Sequence, residues 1–317
     1  MEAKCQVNLW PNDVPPSKDE IIKNIKGMDA LLCMLSDKID AEVMDVAPSL
    51  KVITTYSVGY DHIDITEATK RGIYVTYTPG VLTDATADFA WTLILATARR
   101  IVEYDKFVRE GKWKIGWSPT FMLGRDVHGK TLGIVGLGRI GSAVARRAKG
   151  FGMKILYHNT KRSPEKEKEL DVEYRSLESL LKESDIVSLH VPLNDTTRNM
   201  IGEKQLKLMK PTAYLINTSR GAVIDEAALI KALKEKWIAG AGLDVFVKEP
   251  IDPNNPLLKL DNVVLAPHMA SAGFETRYKM AEITAKDLLA VLNGEAPLYL
   301  VNPDVQKVRP LNKVKCL

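Results

Sequence analysis

One short stretch constrains this 317-residue chain more than any other: "TLGIVGLGRIG", residues 131 to 141. A β-branched apolar run feeds a turn with glycines at 136, 138 and 141, and a helical pattern, "RIGSAVARRAKG", follows. Gly136 permits a tight turn, Gly138 lets the backbone approach a pyrophosphate, and Gly141 lets helix and strand pack closely. The free amides and positive dipole end at the start of that helix suit phosphate. Glycines at this spacing are a weak signal alone. With a strand before and a helix after, they predict a dinucleotide site whose turn is completed by Leu137, Arg139 and Ile140. The plainer alternative is a glycine-rich turn that serves packing only.

Such turns usually lead, about 20 residues on, to an acid that holds a ribose hydroxyl. Here Asn159 lies 18 positions past Gly141 and is followed by Thr160, Lys161 and Arg162. An acid would repel a 2′-phosphate. Asn is neutral, Thr can donate, and the two cations can pair with phosphate. NADP(H) is therefore favoured; NAD(H) stays open, because the same residues also read as a solvated charged loop. The mixed run from Lys161 to Lys168 otherwise reads as surface.

Around this motif, short β-branched runs alternate with helical ones, the pattern of mostly parallel sheets covered on both faces. Strands are expected at "KCQVNLW", "ALLCML", "KVITTY" and "IYVTYT", then at "TLGIV", "KILYH", "DIVSLHV", "AYLINTS", "AGLDVF" and "NVVLAPH". One long helix is expected from Leu82 to Gly111, and an irregular arm rich in Gly, Pro and Trp over 112–129. The fold class is α/β: two Rossmann/flavodoxin-like parallel-sheet domains with a cleft between them. The first, for substrate, takes 1–98 plus 284–317; the second, for the dinucleotide, takes 99–283.

Composition excludes several classes. A net charge of +4 with no Lys/Arg block argues against nucleic acid. Three cysteines without C-x-x-C or zinc spacing predict no metal site and a reduced, cytoplasmic protein. The longest apolar stretch, "FAWTLILATA", is far shorter than the ~20 residues that span a bilayer.

Three further stretches bear on chemistry: "NTSRGAVID", "GLDVFVKEP" and "APHMASAG". Together with "GLGRIG" they resemble the D-isomer-specific 2-hydroxyacid dehydrogenase family, over nearly the whole chain. The region from Tyr56 to Arg100 is similar to the glyoxylate/hydroxypyruvate reductase branch. The resemblance implies His268 as acid/base, Glu249 as its partner and Arg220 as the group that binds the substrate anion. These types suit reduction of a 2-oxo acid, which needs a proton donor near neutral pH, a carboxylate to orient it, and a fork of donors for the carboxylate and carbonyl. Singly, each has a bland reading: a structural His, a loop acid, a surface cation.

The resemblance further implies Asp244 on the nicotinamide carboxamide, or else as a turn residue, and Thr218 and Ser219 beside the cofactor. Val191 and Pro192 flank the adenine or merely end a strand. Ser57, Val58 and Gly59 offer amides to the substrate carboxylate, or form a plain turn. Trp117 reaches the partner's substrate pocket in a homodimer, or packs in the dimer contact. Closure of the two domains about a hinge is expected, to exclude water.

Glyoxylate is the first substrate expected and hydroxypyruvate the second. The segment Thr54–Tyr60 holds no cation for a phosphorylated substrate, which disfavours phosphoglycerate dehydrogenase; D-lactate-type chemistry stays open. A non-catalytic, nucleotide-sensing corepressor-like protein is the reading from another class. Family members usually begin with a strand and helix before "KCQVNLW", and Met1 to Lys4 read as the end of that helix, so the first domain is expected to lack them.

Overall fold

In the computed structural model, which describes residues 4–316, two compact units each carry a parallel sheet. The expected α/β class with two parallel-sheet domains is what the chain adopts. The first unit comprises 1–82 and 273–317, the second 83–272. These limits differ from the expected 98/99 and 283/284. At the first boundary the difference is helix Thr83–Ala98, whose buried face of Ala87, Ala90, Trp91 and Ile94 joins Leu132, Ile134, Val144 and Ile216 in the core of the second unit; at the second, the start of helix Phe274–Leu292 goes with the first unit. Trp91 anchors it twice, donating from Nε1 to the Val144 carbonyl at 3.1 Å and stacking on Phe151 at 4.4 Å.

The first unit contains β1 (Ala30–Cys33), β2 (Val52–Thr55) and β3 (Tyr74–Thr76), paired in that order. Helix Lys18–Asn24 starts at a reciprocal cap, in which Ser17 accepts from the Glu20 amide and Glu20 reaches back to Ser17. "KCQVNLW" is not a strand. Its alternation is right for one, but among the described residues no ladder partner lies beside it; Cys5 packs on the cluster of Val52, Tyr74 and Leu288, while Leu9 is exposed. Of the expected helix end at Met1–Lys4, residues 1–3 lie outside the described residues, and Lys4 is in a turn.

The second unit holds β4 (Thr131–Val135), β5 (Lys154–His158), β6 (Glu173–Tyr174), β7 (Ile186–Leu189), β8 (Tyr214–Asn217), β9 (Gly240–Leu243) and β10 (Val263–Leu265). Their order is β10-β9-β8-β7-β4-β5-β6, all parallel. The chain runs outward in one direction from β4 to β6, then returns to the other side of β4 with β7. That reversal is the switch point where ligands of such sheets collect, outside the carboxyl ends of the strands.

The long helix expected from Leu82 to Gly111 is broken into Thr83–Ala98 and Ile101–Arg109. Arg100 between them is left-handed, with φ 56°. The Ala98 carbonyl is taken by the Arg125 amide at 2.8 Å, and Arg100 grips Glu103 and the Leu123 carbonyl. The returning arm thus replaces the helical bonds that periodicity alone predicts.

Candidate active site

Apart from Trp117 in the arm, the candidates of the second unit follow the carboxyl ends of strands: Gly136 after β4, Asn159 after β5, Val191 after β7, Thr218 to Arg220 after β8, Asp244 and Glu249 after β9, His268 after β10. The glycine turn is built as its spacing requires. Gly136 has φ +101°, and a Cβ there would meet the His190–Val191 backbone at 2.7 Å. A Cβ on Gly141 would overlap the Gly136 carbonyl, so helix Arg139–Ala148 sits directly against the turn. Gly138, at that helix's N-cap, faces open space. Close packing behind two glycines and room before the third form a cradle that fits a dinucleotide pyrophosphate. Arg139 is exposed and Ile140 half-buried against the core. His190 under the turn is pulled down to a pKa of about 4 by burial and bonds the Ser188 hydroxyl at 2.8 Å.

The loop after β5 differs from its sequence reading. Asn159 Oδ1 accepts from the Leu137 amide at 2.7 Å, so the side chain supports the glycine turn. Thr160 and Lys161 are exposed. Arg162 is held by Glu167 through Nε at 2.8 Å and a terminal nitrogen at 2.7 Å. Glu167 also accepts from the Tyr157 hydroxyl at 2.7 Å; the Arg162 and Tyr157 hydrogen bonds together bring its carboxyl down to about 2. Lys166, expected as surface, is half-buried and donates to the Leu137 carbonyl at 2.7 Å. Val191 is half-buried against the core and Pro192 is exposed.

The three residues read as catalytic are brought together by the loops after β8, β9 and β10. Glu249 Oε2 lies 2.6 Å from His268 Nδ1, while Oε1 accepts from the Phe246 amide at 2.9 Å. Burial pushes the Glu249 carboxyl up. The His268 and Phe246 hydrogen bonds, with the charges of His268 and Arg220, outweigh it and hold the carboxyl below its ordinary value. With Nδ1 engaged, Nε2 of His268 is the nitrogen left to exchange a proton with a substrate. His268 has φ 57°, a left-handed conformation that costs a non-glycine residue of order 1–3 kcal/mol. Asp244 holds it there. Its carbonyl accepts the His268 amide at 2.8 Å, and its carboxylate accepts those of Met269 at 2.7 Å and Ala270 at 2.9 Å. Asp244 is fully buried. In the structure its carboxylate holds the turn that carries His268.

Arg220 follows a turn governed by a residue that sequence reasoning missed. Buried Asn217 donates to the Arg220 carbonyl at 2.9 Å and accepts from the Ser219 amide at 3.0 Å and hydroxyl at 2.8 Å. Its signal was present: Asn two residues before Ser is an Asx-turn pattern. Gly221 was missed as well. A Cβ there would overlap the backbone of Phe246, the residue whose amide anchors Glu249. Thr218 is buried, and its hydroxyl has no partner among the described residues.

In the first unit, Ser57 is buried and its hydroxyl is engaged within the loop, with Thr55 at 2.7 Å and the Gly59 carbonyl at 2.6 Å. Val58 and Gly59 are half-buried. Trp117 is 84% exposed in the arm. Among the described residues no His/Cys/Asp/Glu group could hold a metal, and no helix is long and apolar enough to cross a membrane.

A family model described as "D-isomer specific 2-hydroxyacid dehydrogenase, NAD binding domain" matches residues 91–270. The chain is 63% identical over 310 residues to a glyoxylate reductase of Korarchaeum cryptofilum, covering 98% of this chain and 93% of that one. It is 60% identical over 313 residues to a glyoxylate reductase of Thermococcus litoralis, covering 98% and 94%. Among solved structures, an NADPH-dependent glyoxylate/hydroxypyruvate reductase of Sinorhizobium meliloti, in complex with NADP and malonate, matches with TM-score 0.81 and 37% identity, over 89% of this chain and 86% of that one. The glycine turn, the strand order and the Arg220–Glu249–His268 constellation agree with these likenesses: the chain belongs to the D-isomer specific 2-hydroxyacid dehydrogenase family, on its glyoxylate reductase branch, and is an NAD(P)-dependent oxidoreductase.

Proposed function

We propose that the protein reduces glyoxylate, and more slowly hydroxypyruvate, with NADPH preferred over NADH. The observation that carries the reading is the 2.6 Å contact between His268 Nδ1 and Glu249, at the strand ends that also carry Arg220. The dinucleotide, when bound, supplies the hydride that C2 of the 2-oxo acid receives. The chain supplies the rest. His268 gives a proton from Nε2 to the carbonyl oxygen as negative charge develops there. Glu249, 2.6 Å from Nδ1, fixes the orientation of the ring. Arg220 holds the substrate carboxylate and polarises the carbonyl with its rigid set of donors. In the first unit, the amides of Ser57, Val58 and Gly59 are the candidate group for a substrate carboxylate. Thr218, with its unengaged buried hydroxyl, and Ser219 line the cofactor.

The preference for NADPH rests on the lack of an acid at Asn159 and on the lysines of the loop and helix that follow, Arg162 being held by Glu167. A homodimer in the cytoplasm completes the proposal. The helix and arm from Ile101 to Leu123 support the dimer, since Ile101, Val102, Trp113, Ile115, Trp117 and Leu123 are all more than half exposed there. A concentration of large apolar side chains in one segment marks an interaction surface.

Initial rates with glyoxylate and hydroxypyruvate, each with NADPH and NADH, test the proposal. Fast glyoxylate turnover with NADPH is expected. Turnover with NADH alone removes the cofactor preference and keeps the reductase. Tight cofactor binding with negligible reduction of any 2-oxo acid would leave a nucleotide sensor in its place.

A further inference from the structure

The geometry points to Lys166 as a specificity-determining residue, whose ammonium recognises the 2′-phosphate of NADP(H), while Arg162 only orders the loop; this rests on the NADP(H) reading above. Sequence spacing singles out Lys161 and Arg162, the cations that directly follow Asn159. The structure redistributes the task.

Arg162 is engaged. Two of its nitrogens meet both oxygens of Glu167, at 2.8 and 2.7 Å. Glu167 is anchored in turn by the hydroxyl of Tyr157, a fully buried residue of β5, and that hydroxyl accepts from the Ser163 amide at 2.8 Å. This is a closed clamp from strand through loop to helix Pro164–Leu170. Its acid cancels the arginine's charge where a phosphate would need it. Lys161 has no acid partner among the described residues, but it is exposed, and ordering a free lysine offsets much of what it gains.

Lys166 differs on each point. It is half-buried, so its stem is already ordered. Its Nζ sits 2.7 Å from the carbonyl of Leu137, the residue between Gly136 and Gly138. The amide of the same Leu137 donates to Asn159 at 2.7 Å. Lys166 and Asn159 thus meet on one residue of the phosphate-binding turn, and Asn159 occupies the position that reads the ribose. No acid pairs with Lys166 among the described residues. An ammonium has three donors, and one is engaged. Two donors and a whole charge remain, at the junction of the glycine turn and the ribose-reading loop. A 2′-phosphate brings acceptor oxygens and negative charge to that junction; a free 2′-hydroxyl brings neither in the same measure.

The test compares dissociation constants, measured by quenching of protein fluorescence, for NADPH and NADH. Adenosine 2′,5′-bisphosphate and AMP, as competitors, isolate the phosphate. The wild-type protein comes first: equal affinities there remove the NADP(H) reading itself, whatever Lys166 does. Given a wild-type preference, Lys166→Met is expected to weaken NADPH and the bisphosphate about tenfold or more, as loss of a charge-assisted hydrogen bond does. NADH and AMP should stay within about twofold on the same reasoning. Lys166→Arg, which keeps the charge, should retain the preference and shows that the helix tolerates substitution. Arg162→Ala should weaken both cofactors alike. Equal losses for both cofactors in Lys166→Met would reduce Lys166 to a prop for the glycine turn and overturn the inference. So would an unchanged preference, or a selective loss of NADPH in Arg162→Ala.

Discussion

The loops after β8 to β10 and the loop after β5 end at the same edge of one sheet, yet they use their ion pairs in opposite ways. After β9 and β10, Glu249 meets His268 through one ring nitrogen and leaves the other open to chemistry. After β5, Glu167 takes two nitrogens of Arg162 and cancels a charge that the sequence seemed to offer a ligand. A carboxylate beside a nitrogen-bearing side chain builds a candidate site in the first case and closes a loop in the second. What separates them is which atoms of the pair remain free, and spacing along the chain does not report that.

The largest effect that would break this comparison is His268→Ala. Loss of a positioned general acid should lower kcat about 10²- to 10⁴-fold. NADPH affinity should hold, because the glycine turn lies at other strands. A loss of cofactor binding with little loss of kcat would exchange the roles assigned to the two loops. Next in size is Glu249→Gln. It keeps the shape and weakens a charge-assisted hydrogen bond of about 1.5–3 kcal/mol, so kcat should fall roughly 10- to 100-fold. Glu167→Gln is the matching change in the other loop. It should leave kcat for glyoxylate within about twofold, since surface ion pairs are worth little and this one touches no reacting atom. If steady-state rates show Glu167→Gln to be as damaging as Glu249→Gln, the distinction between the two pairs fails.

The same contrast governs what was legible in the sequence. The glycine turn was, because Gly136 and Gly141 are fixed by backbone geometry that no other residue fits. His268, Glu249 and Arg220 were legible through the family resemblance carried by "NTSRGAVID", "GLDVFVKEP" and "APHMASAG", not through local pattern. The parallel sheets followed from the β/α alternation. Tertiary substitution of local bonds was not legible. The Arg125 amide, 27 residues away, caps Ala98 and ends a helix that periodicity continued. Lys166 looked like one charge in a solvated run until the fold set it on the Leu137 carbonyl. Asp244 and Glu249 carry similar acids five residues apart, and only burial and amide geometry tell the turn-holder from the partner of the histidine.

Those two acids give the smaller predictions. Asp244→Asn replaces an acceptor of two backbone amides by a group with one oxygen and an NH₂ that cannot accept. It should destabilise the protein by about 1–3 kcal/mol, read by denaturant unfolding, and lower kcat through the His268 turn. The finest test is how each acid's contribution varies with pH. Glu249 is held below its ordinary value, so its contribution is present above the unfolded-state pKa of about 4.3 and is lost as pH falls through the folded value. The Tm gap between wild type and Glu249→Gln should therefore shrink on acidification. For Asp244, burial pushes the carboxyl up, and the Met269 and Ala270 amides only partly offset it. Its contribution is greatest below the unfolded-state value of about 3.9 and is lost as pH rises through the folded one. The Tm gap between wild type and Asp244→Asn should thus widen on acidification, by about a few degrees at most. Gaps that move in the same direction would mean that the two carboxylates share one environment, and that the division of labour between them is wrong.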